Sequence, residues 1–204
     1  MAKQKSMTIA YQVGKNLYLN LTNRCPCACT FCIRNNSDSA YGSDPLWLEH
    51  EPDWDEIHSV LESEDVSKYH EVVFCGFGEP TERLDMVLRT AAYLKTRGVI
   101  SIRLNTNGLA DLIHGKKTAE LFKGLIDTVS VSLNAGTAKG YLEVTRPKYG
   151  EEAYTAMQEF AKDCKNYVPN VMFSVVDVLS EEELEASKQV AENCGIPLRI
   201  RALD

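Results

Sequence analysis

Cys25-Pro26-Cys27-Ala28-Cys29-Thr30-Phe31-Cys32 places four of the chain's seven cysteines within eight residues. Cys25, Cys29 and Cys32 form Cys-x3-Cys-x2-Cys, with an aromatic residue just before the last thiol. Three thiolates at this spacing can hold three irons of a cubane cluster and leave the fourth iron open to a small molecule. A structural zinc site would usually draw on two separated cysteine pairs. Here the thiols crowd one loop and no second Cys-x2-Cys follows, so iron–sulfur ligation is the better match and zinc the alternative. Cys27 lies between ligand positions and is expected to point away from the metal.

Working outward, short β-rich runs alternate with helical stretches. Strands are expected at Leu17–Thr22, Glu71–Cys75, Ile100–Thr106, Thr128–Leu133, Val171–Val178 and Leu198–Arg201, with a further short one at Met7–Val13. Asp53-Trp54-Asp55-Glu56 reads as a capping box opening a helix to about Glu64, and Ser180-Glu181-Glu182-Glu183 as a second box opening a helix that stops at Gly195. Leu84, Val87, Leu88, Ala91 and Leu94 recur at helical spacing within Thr81–Arg97. Further helices are expected at Lys117–Lys123, Thr137–Thr145 and Glu152–Tyr167. Six strands alternating with helices imply right-handed β/α units. A full eightfold barrel takes about 250 residues; at 204 residues the expectation is an α/β fold, a partial (β/α)6 barrel forming one domain. In such folds chemistry gathers where strands run into the following loops, and the cysteine loop follows a strand. The long connection 33–52, with Tyr41 and Leu46-Trp47-Leu48, reads as a lid or as a patch packed on the barrel.

The net charge of −7 argues against a broad nucleic-acid surface. No apolar run approaches bilayer length, and Met1–Ser6 is followed by no apolar stretch of the signal-peptide kind. Crowded cysteines in an odd total suit a reducing cytoplasm and metal binding more than disulfides. Cys75, Cys164 and Cys194 are isolated and read as ordinary buried thiols.

Three further motifs sit at strand ends. Gly76-Phe77-Gly78-Glu79-Pro80 lets the backbone approach a ligand closely and offers carbonyls and one carboxylate to an ammonium group; alone it is also a plain tight turn. Asn105-Thr106-Asn107-Gly108 and Ser132-Leu133-Asn134 carry polar groups fit for hydroxyls, or simply for ending strands. Ser132 and Asn134 alternate onto one face. Arg146 can clamp a carboxylate or stand as a solvated charge.

Together these blocks resemble the radical S-adenosylmethionine (SAM) superfamily, and within it the small proteins associated with TatD-family metal-dependent hydrolases. The stretches that carry the resemblance are Leu19–Cys25, Cys29–Arg34, Val73–Gly76, Asn105–Leu109 and Ser132–Ala135. The resemblance implies a [4Fe-4S] cluster on Cys25, Cys29 and Cys32, with SAM chelating the open iron. It implies that Gly76, Phe77, Gly78, Glu79 and Pro80 hold the SAM amino group, Phe77 standing where the usual pattern has glycine. It gives Phe31 to the adenine, Asn105, Asn107, Ser132 and Asn134 to the ribose, with Asn134 replacing the usual acid, and Arg146 to the carboxylate. One electron from flavodoxin or ferredoxin would then yield methionine and a 5′-deoxyadenosyl radical that takes hydrogen from a substrate. The residue catalytic toward that substrate, and the substrate itself, are not readable. Alternatives are an activase that installs a glycyl radical on a partner protein and a non-catalytic zinc-stabilised binding module.

Overall fold

A computed structural model describes residues 3–177 and 179–202. Among the described residues seven strands neighbour one another in chain order, giving an α/β fold with a mostly parallel sheet. The chain divides into two compact units.

The first unit comprises Met1–Cys25, Ile33–Asn105 and Leu125–Asp127. It opens with a hairpin, β1 (Ala10–Val13) antiparallel to β2 (Asn16–Leu19), turned by Gly14 at φ 59°. β3 (Glu71–Phe74) pairs parallel to β2, and β4 (Ile102–Thr106) pairs parallel to β3. Leu17, Leu19, Val72, Phe74, Ile102 and Leu104 are all buried. α1 (Trp54–Ser63), with Ile57 and Leu61 buried, packs on α2 (Leu84–Thr96), which buries Val87, Ala91 and Leu94. The Asp53 box forms in full: Asp53 Oδ1 accepts from Glu56 N and Glu56 Oε2 accepts from Asp53 N.

The second unit comprises Pro26–Cys32, Thr106–Gly124 and Thr128–Asp204. β5 (Thr128–Ser132), β6 (Asn170–Val176) and β7 (Leu198–Arg201) are parallel neighbours. Val129, Val131, Phe173 and Val175 are buried on one face, as are Met157, Phe160 and Ala161 of α5 (Glu152–Cys164), which packs on β5 and β6. α3 (Ala110–His114), α4 (Ala138–Thr145) and α6 (Glu181–Cys194) complete the unit.

Several boundaries differ from the sequence reading. Met7–Val13 contributes only Ala10–Val13, and it runs antiparallel because a tight turn, not a crossover, joins it to β2. Ile100 is 87% exposed and precedes its strand. The run Lys117–Lys123 forms no α-helix; a 3-10 turn covers Ala119–Phe122, and the α-helix lies earlier, at Ala110–His114. Five residues are too few to show a period. Pro80–Arg83 is a 3-10 turn ahead of α2. Val178, read as the end of a strand, lies outside the described residues.

Candidate cofactor site

In the first unit the exit of β2 leads straight to Cys25, and side chains hold its backbone at every step. Asn20 Nδ2 donates to the carbonyl oxygens of Leu46 (2.8 Å) and Thr8 (3.2 Å). Asn23 pairs with Leu48 as a strand would, donating to its carbonyl at 2.7 Å and accepting from its N–H at 3.0 Å. Glu51 accepts from Thr22 Oγ1 at 2.5 Å and from Arg24 Nε at 2.6 Å, with Arg83 Nη1 3.4 Å away. Burial pushes the Glu51 carboxyl upward, and hydrogen bonds from Arg24 and Thr22 outweigh it, so the group titrates below its ordinary range.

The Gly76–Pro80 stretch lies directly against this exit. Glu79 N donates to Arg24 O at 2.7 Å. A Cβ on Gly78 would stand 2.3 Å from Thr22 O and 2.6 Å from Arg24 O; one on Gly76 would stand 2.1 Å from Asn20 Oδ1. Both glycines are therefore required by close approach. Glu79 is only 4% exposed, and its Oε1 accepts from Thr81 N (3.1 Å) and Thr81 Oγ1 (2.8 Å). Phe77 turns inward, edge-on to Trp47 with 5.2 Å between ring centroids, in a cluster with Tyr11, Ala40 and Leu46. Its carbonyl accepts from Arg34 Nη1 at 3.2 Å. The bulk that stands in the glycine position thus has an apolar home. Asn105, near the end of β4, has a buried Oδ1 with no hydrogen-bond partner among the described residues.

In the second unit the stretch Pro26–Cys32 is fastened to the end of α4. Ala28 N donates to Thr145 O and Thr30 N to Val144 O, both at 2.9 Å; Lys148 N donates to Pro26 O at 2.7 Å. Cys27 forms a backbone bridge with Pro147 and is 5% exposed. Asn107 Nδ2 lies 3.8 Å from its sulfur. Cys29, Cys32 and, in the first unit, Cys25 are each only partly buried. Phe31 is half-buried. Arg146 caps α4 in the left-handed region (φ 46°) and is exposed. Asn107 Oδ1 accepts from Leu109 N at 2.9 Å, a local turn that fixes its side chain.

Ser132 is half-buried at the end of β5. Asn134 is 5% exposed at φ 62°, and its buried Oδ1 has no hydrogen-bond partner among the described residues. The loop after it is held by a residue read otherwise from sequence. Ser180 Oγ accepts from Glu183 N as expected. The Glu183 carboxylate, though, accepts from Gly136 N (2.9 Å), Thr137 N (3.3 Å) and Thr137 Oγ1 (2.6 Å). Three donors on one loop outcompete the single N–H of the cap.

By their chemistry Cys25, Cys29 and Cys32 are donors of the kind that an iron–sulfur cluster takes. Among the described residues no three His, Cys, Asp or Glu side chains converge on one point as a single-ion site requires; a cubane asks each thiolate to take a different iron. The thiolates are soft donors suited to iron. The amide oxygens of Asn105 and Asn134 are buried acceptors with no donor among the described residues.

The model of the radical SAM superfamily matches residues 19–190. The chain belongs to that family. It is 31% identical over 127 residues to GTP 3′,8-cyclase of Staphylococcus carnosus (strain TM300), a match covering 59% of this chain and 34% of the cyclase. Streptococcus suis SuiB bound to precursor peptide SuiA superposes with a TM-score of 0.68 at 20% identity, covering 93% of this chain and 39% of that one. A radical SAM methyltransferase from Sphaerobacter thermophilus gives 0.59 at 15% identity, covering 95% of this chain and 68% of that one. This radical SAM chain therefore spans little more than a third of the cyclase and of SuiB. At these identities the two structures establish the fold, a partial barrel. No helix among the described residues is long and apolar enough to cross a membrane.

Proposed function

We propose that this radical SAM protein is an enzyme that cleaves SAM reductively and directs the product radical at a substrate. The observation that carries the reading is the Glu79 N–H bond to Arg24 O at 2.7 Å. It joins the Gly-rich stretch to the residue preceding the first cysteine of Cys-x3-Cys-x2-Cys. Cys25, Cys29 and Cys32 would ligate a [4Fe-4S] cluster, which when bound supplies the electron that breaks the sulfonium bond and the open iron that holds SAM. Phe31 would lie against the adenine. The Gly76, Phe77, Gly78 and Pro80 backbone, with Glu79, would receive the amino group, and Arg146 the carboxylate. Asn105, Asn107, Ser132 and Asn134 would meet the ribose hydroxyls; the partnerless oxygens of Asn105 and Asn134 support this role. The segment 33–52 would cover the site, anchored through Asn20, Asn23 and Glu51.

A flavodoxin or ferredoxin in the cytoplasm would supply the electron, and the TatD-associated subgroup suggests a functional link to a TatD-family hydrolase. Protein purified without oxygen is expected to be brown, with about four irons per chain, and to form 5′-deoxyadenosine from SAM and dithionite. A colourless, zinc-loaded protein that leaves SAM intact would overturn the proposal in favour of a binding module.

A further inference from the structure

We propose that the second unit carries a binding subsite for an oxyanion of the substrate, a carboxylate or phosphate, built on Arg201 with Arg199 beside it. The proposal rests on the radical SAM reading for the identity of the reacting end, but its own evidence lies in the sheet. Register fixes the face. Ser132 pairs with Ser174, Ser174 with Arg199, and Val176 with Arg201. Side chains alternate along a strand, so these residues share one face. The opposite face carries Val129, Val131, Phe173 and Val175, buried in the apolar core of the unit. The two arginines therefore stand on the same face as Ser132.

Arg201 is the informative member. Its Nε is buried and has no acceptor among the described residues. A guanidinium is always charged and presents its N–H groups as a planar fork. Burying such a donor unpaired is costly unless something supplies the acceptor. Among the described residues neither Arg199 nor Arg201 takes part in an ion pair. An oxyanion is the ligand that fits a guanidinium fork.

Register also sets the scale. β7 lies two strands from β5, and neighbouring strands are about 4.8 Å apart, so the arginines stand roughly 10 Å from Ser132 across the sheet. A substrate with its reacting carbon near the ribose position would place an anionic group at the other end of a small, extended molecule.

The test uses the full chain, reconstituted without oxygen, and three readouts on one preparation. Calorimetry with inorganic phosphate and, separately, with succinate reports the subsite and separates its two possible anions. SAM affinity and 5′-deoxyadenosine formation report the cofactor site. At least one anion is expected to bind at roughly millimolar concentration and to lose about tenfold or more in affinity in Arg201→Gln, with a smaller loss in Arg199→Gln. SAM affinity is expected to stay within about twofold. Arg201→Lys keeps the charge but not the fork, and is expected to recover only part of the binding; it also serves if the glutamine variant fails to fold. The proposal is overturned if neither anion binds the wild-type chain, or if the arginine variants bind as well as wild type. It is equally overturned if SAM affinity falls in step with anion affinity, since the arginines would then serve the SAM carboxylate. Loss of iron and of deoxyadenosine formation in wild type would instead refute the radical SAM reading, while anion binding to the folded chain is read independently.

Discussion

Gly78→Ala isolates the contact on which the proposed site depends. Gly78 does not adopt positive φ, so alanine meets no backbone penalty there. The obstacle is steric. The new Cβ would lie 2.3 Å from Thr22 O and 2.6 Å from Arg24 O. Both obstacles are main-chain atoms and cannot rotate aside. Relief requires the β2 exit and the Gly-rich stretch to part by roughly 1 Å, which carries the 2.7 Å bond between Glu79 N and Arg24 O beyond the usual range of about 3.2 Å. Overpacking costs about 1–3 kcal/mol and a lost buried hydrogen bond about 1 kcal/mol, so the expected destabilisation is about 2–4 kcal/mol. Urea unfolding followed by circular dichroism measures it, and iron retention after anaerobic reconstitution is expected to fall with it. Gly98→Ala is the matched control: nothing lies within 4 Å of its Cβ, but its φ is +77°. Its cost is conformational, about 1–2 kcal/mol. If Gly78→Ala proves less costly than Gly98→Ala and keeps its iron, the close approach of these two backbones is not what shapes the site.

Glu51→Ala removes the carboxylate that gathers Thr22, Arg24 and Arg83. Arg24 and Glu51 are 54% and 35% exposed, so solvent screening limits the expected loss to about 1 kcal/mol at pH 7 by urea unfolding. Because Glu51 titrates below its ordinary value of 4.5, its stabilisation is present above that pH and fades as pH falls through the lower, folded value. The stability gap between wild type and Glu51→Gln should therefore close in the acid range; a gap unchanged between pH 7 and pH 3 would contradict this. Glu183→Ala strands the N–H groups of Gly136 and Thr137 and should cost about 1–3 kcal/mol, with Glu183→Gln milder; equal effects would show that the carboxylate is not the anchor. Cys27→Ala should retain its iron after reconstitution while Cys32→Ala loses it, read by iron analysis of both variants; iron lost equally from both would place Cys27 among the ligands.

The parts of the site that depend on near neighbours in the chain were legible in the sequence. Glycines after a strand announce a backbone that must be approached, and the contacts at Gly76 and Gly78 bear this out. The alternation of Val and Ile runs with helical periods fixed the α/β class, which the structural relatives share. What stayed hidden depends on distant partners. Nothing around Glu51 signals that its acceptors serve Thr22 and Arg24, more than twenty residues earlier. Ser180-x-x-Glu183 carries the full signature of a capping box, yet Glu183 finds its donors in a loop over forty residues away. The antiparallel sense of β1 rests on a two-residue turn at Gly14 and Lys15, which looks from sequence like any other break. Asn105 and Asn134 read from sequence as strand-ending residues that the resemblance gives to the ribose; only the structure adds that their oxygens are buried with no hydrogen-bond partner among the described residues.

Asn20 and Asn23 do for Leu46 and Leu48 what a neighbouring strand does elsewhere. The amide of a side chain copies the donor and acceptor of a peptide without fixing how many residues precede it. Insertions or deletions among exposed positions such as Asn36, Tyr41 and Gly42 could therefore accumulate at little entropic cost, while Leu46–Leu48 holds its place. Length variation between relatives should concentrate in that short interval and stop sharply at Leu46.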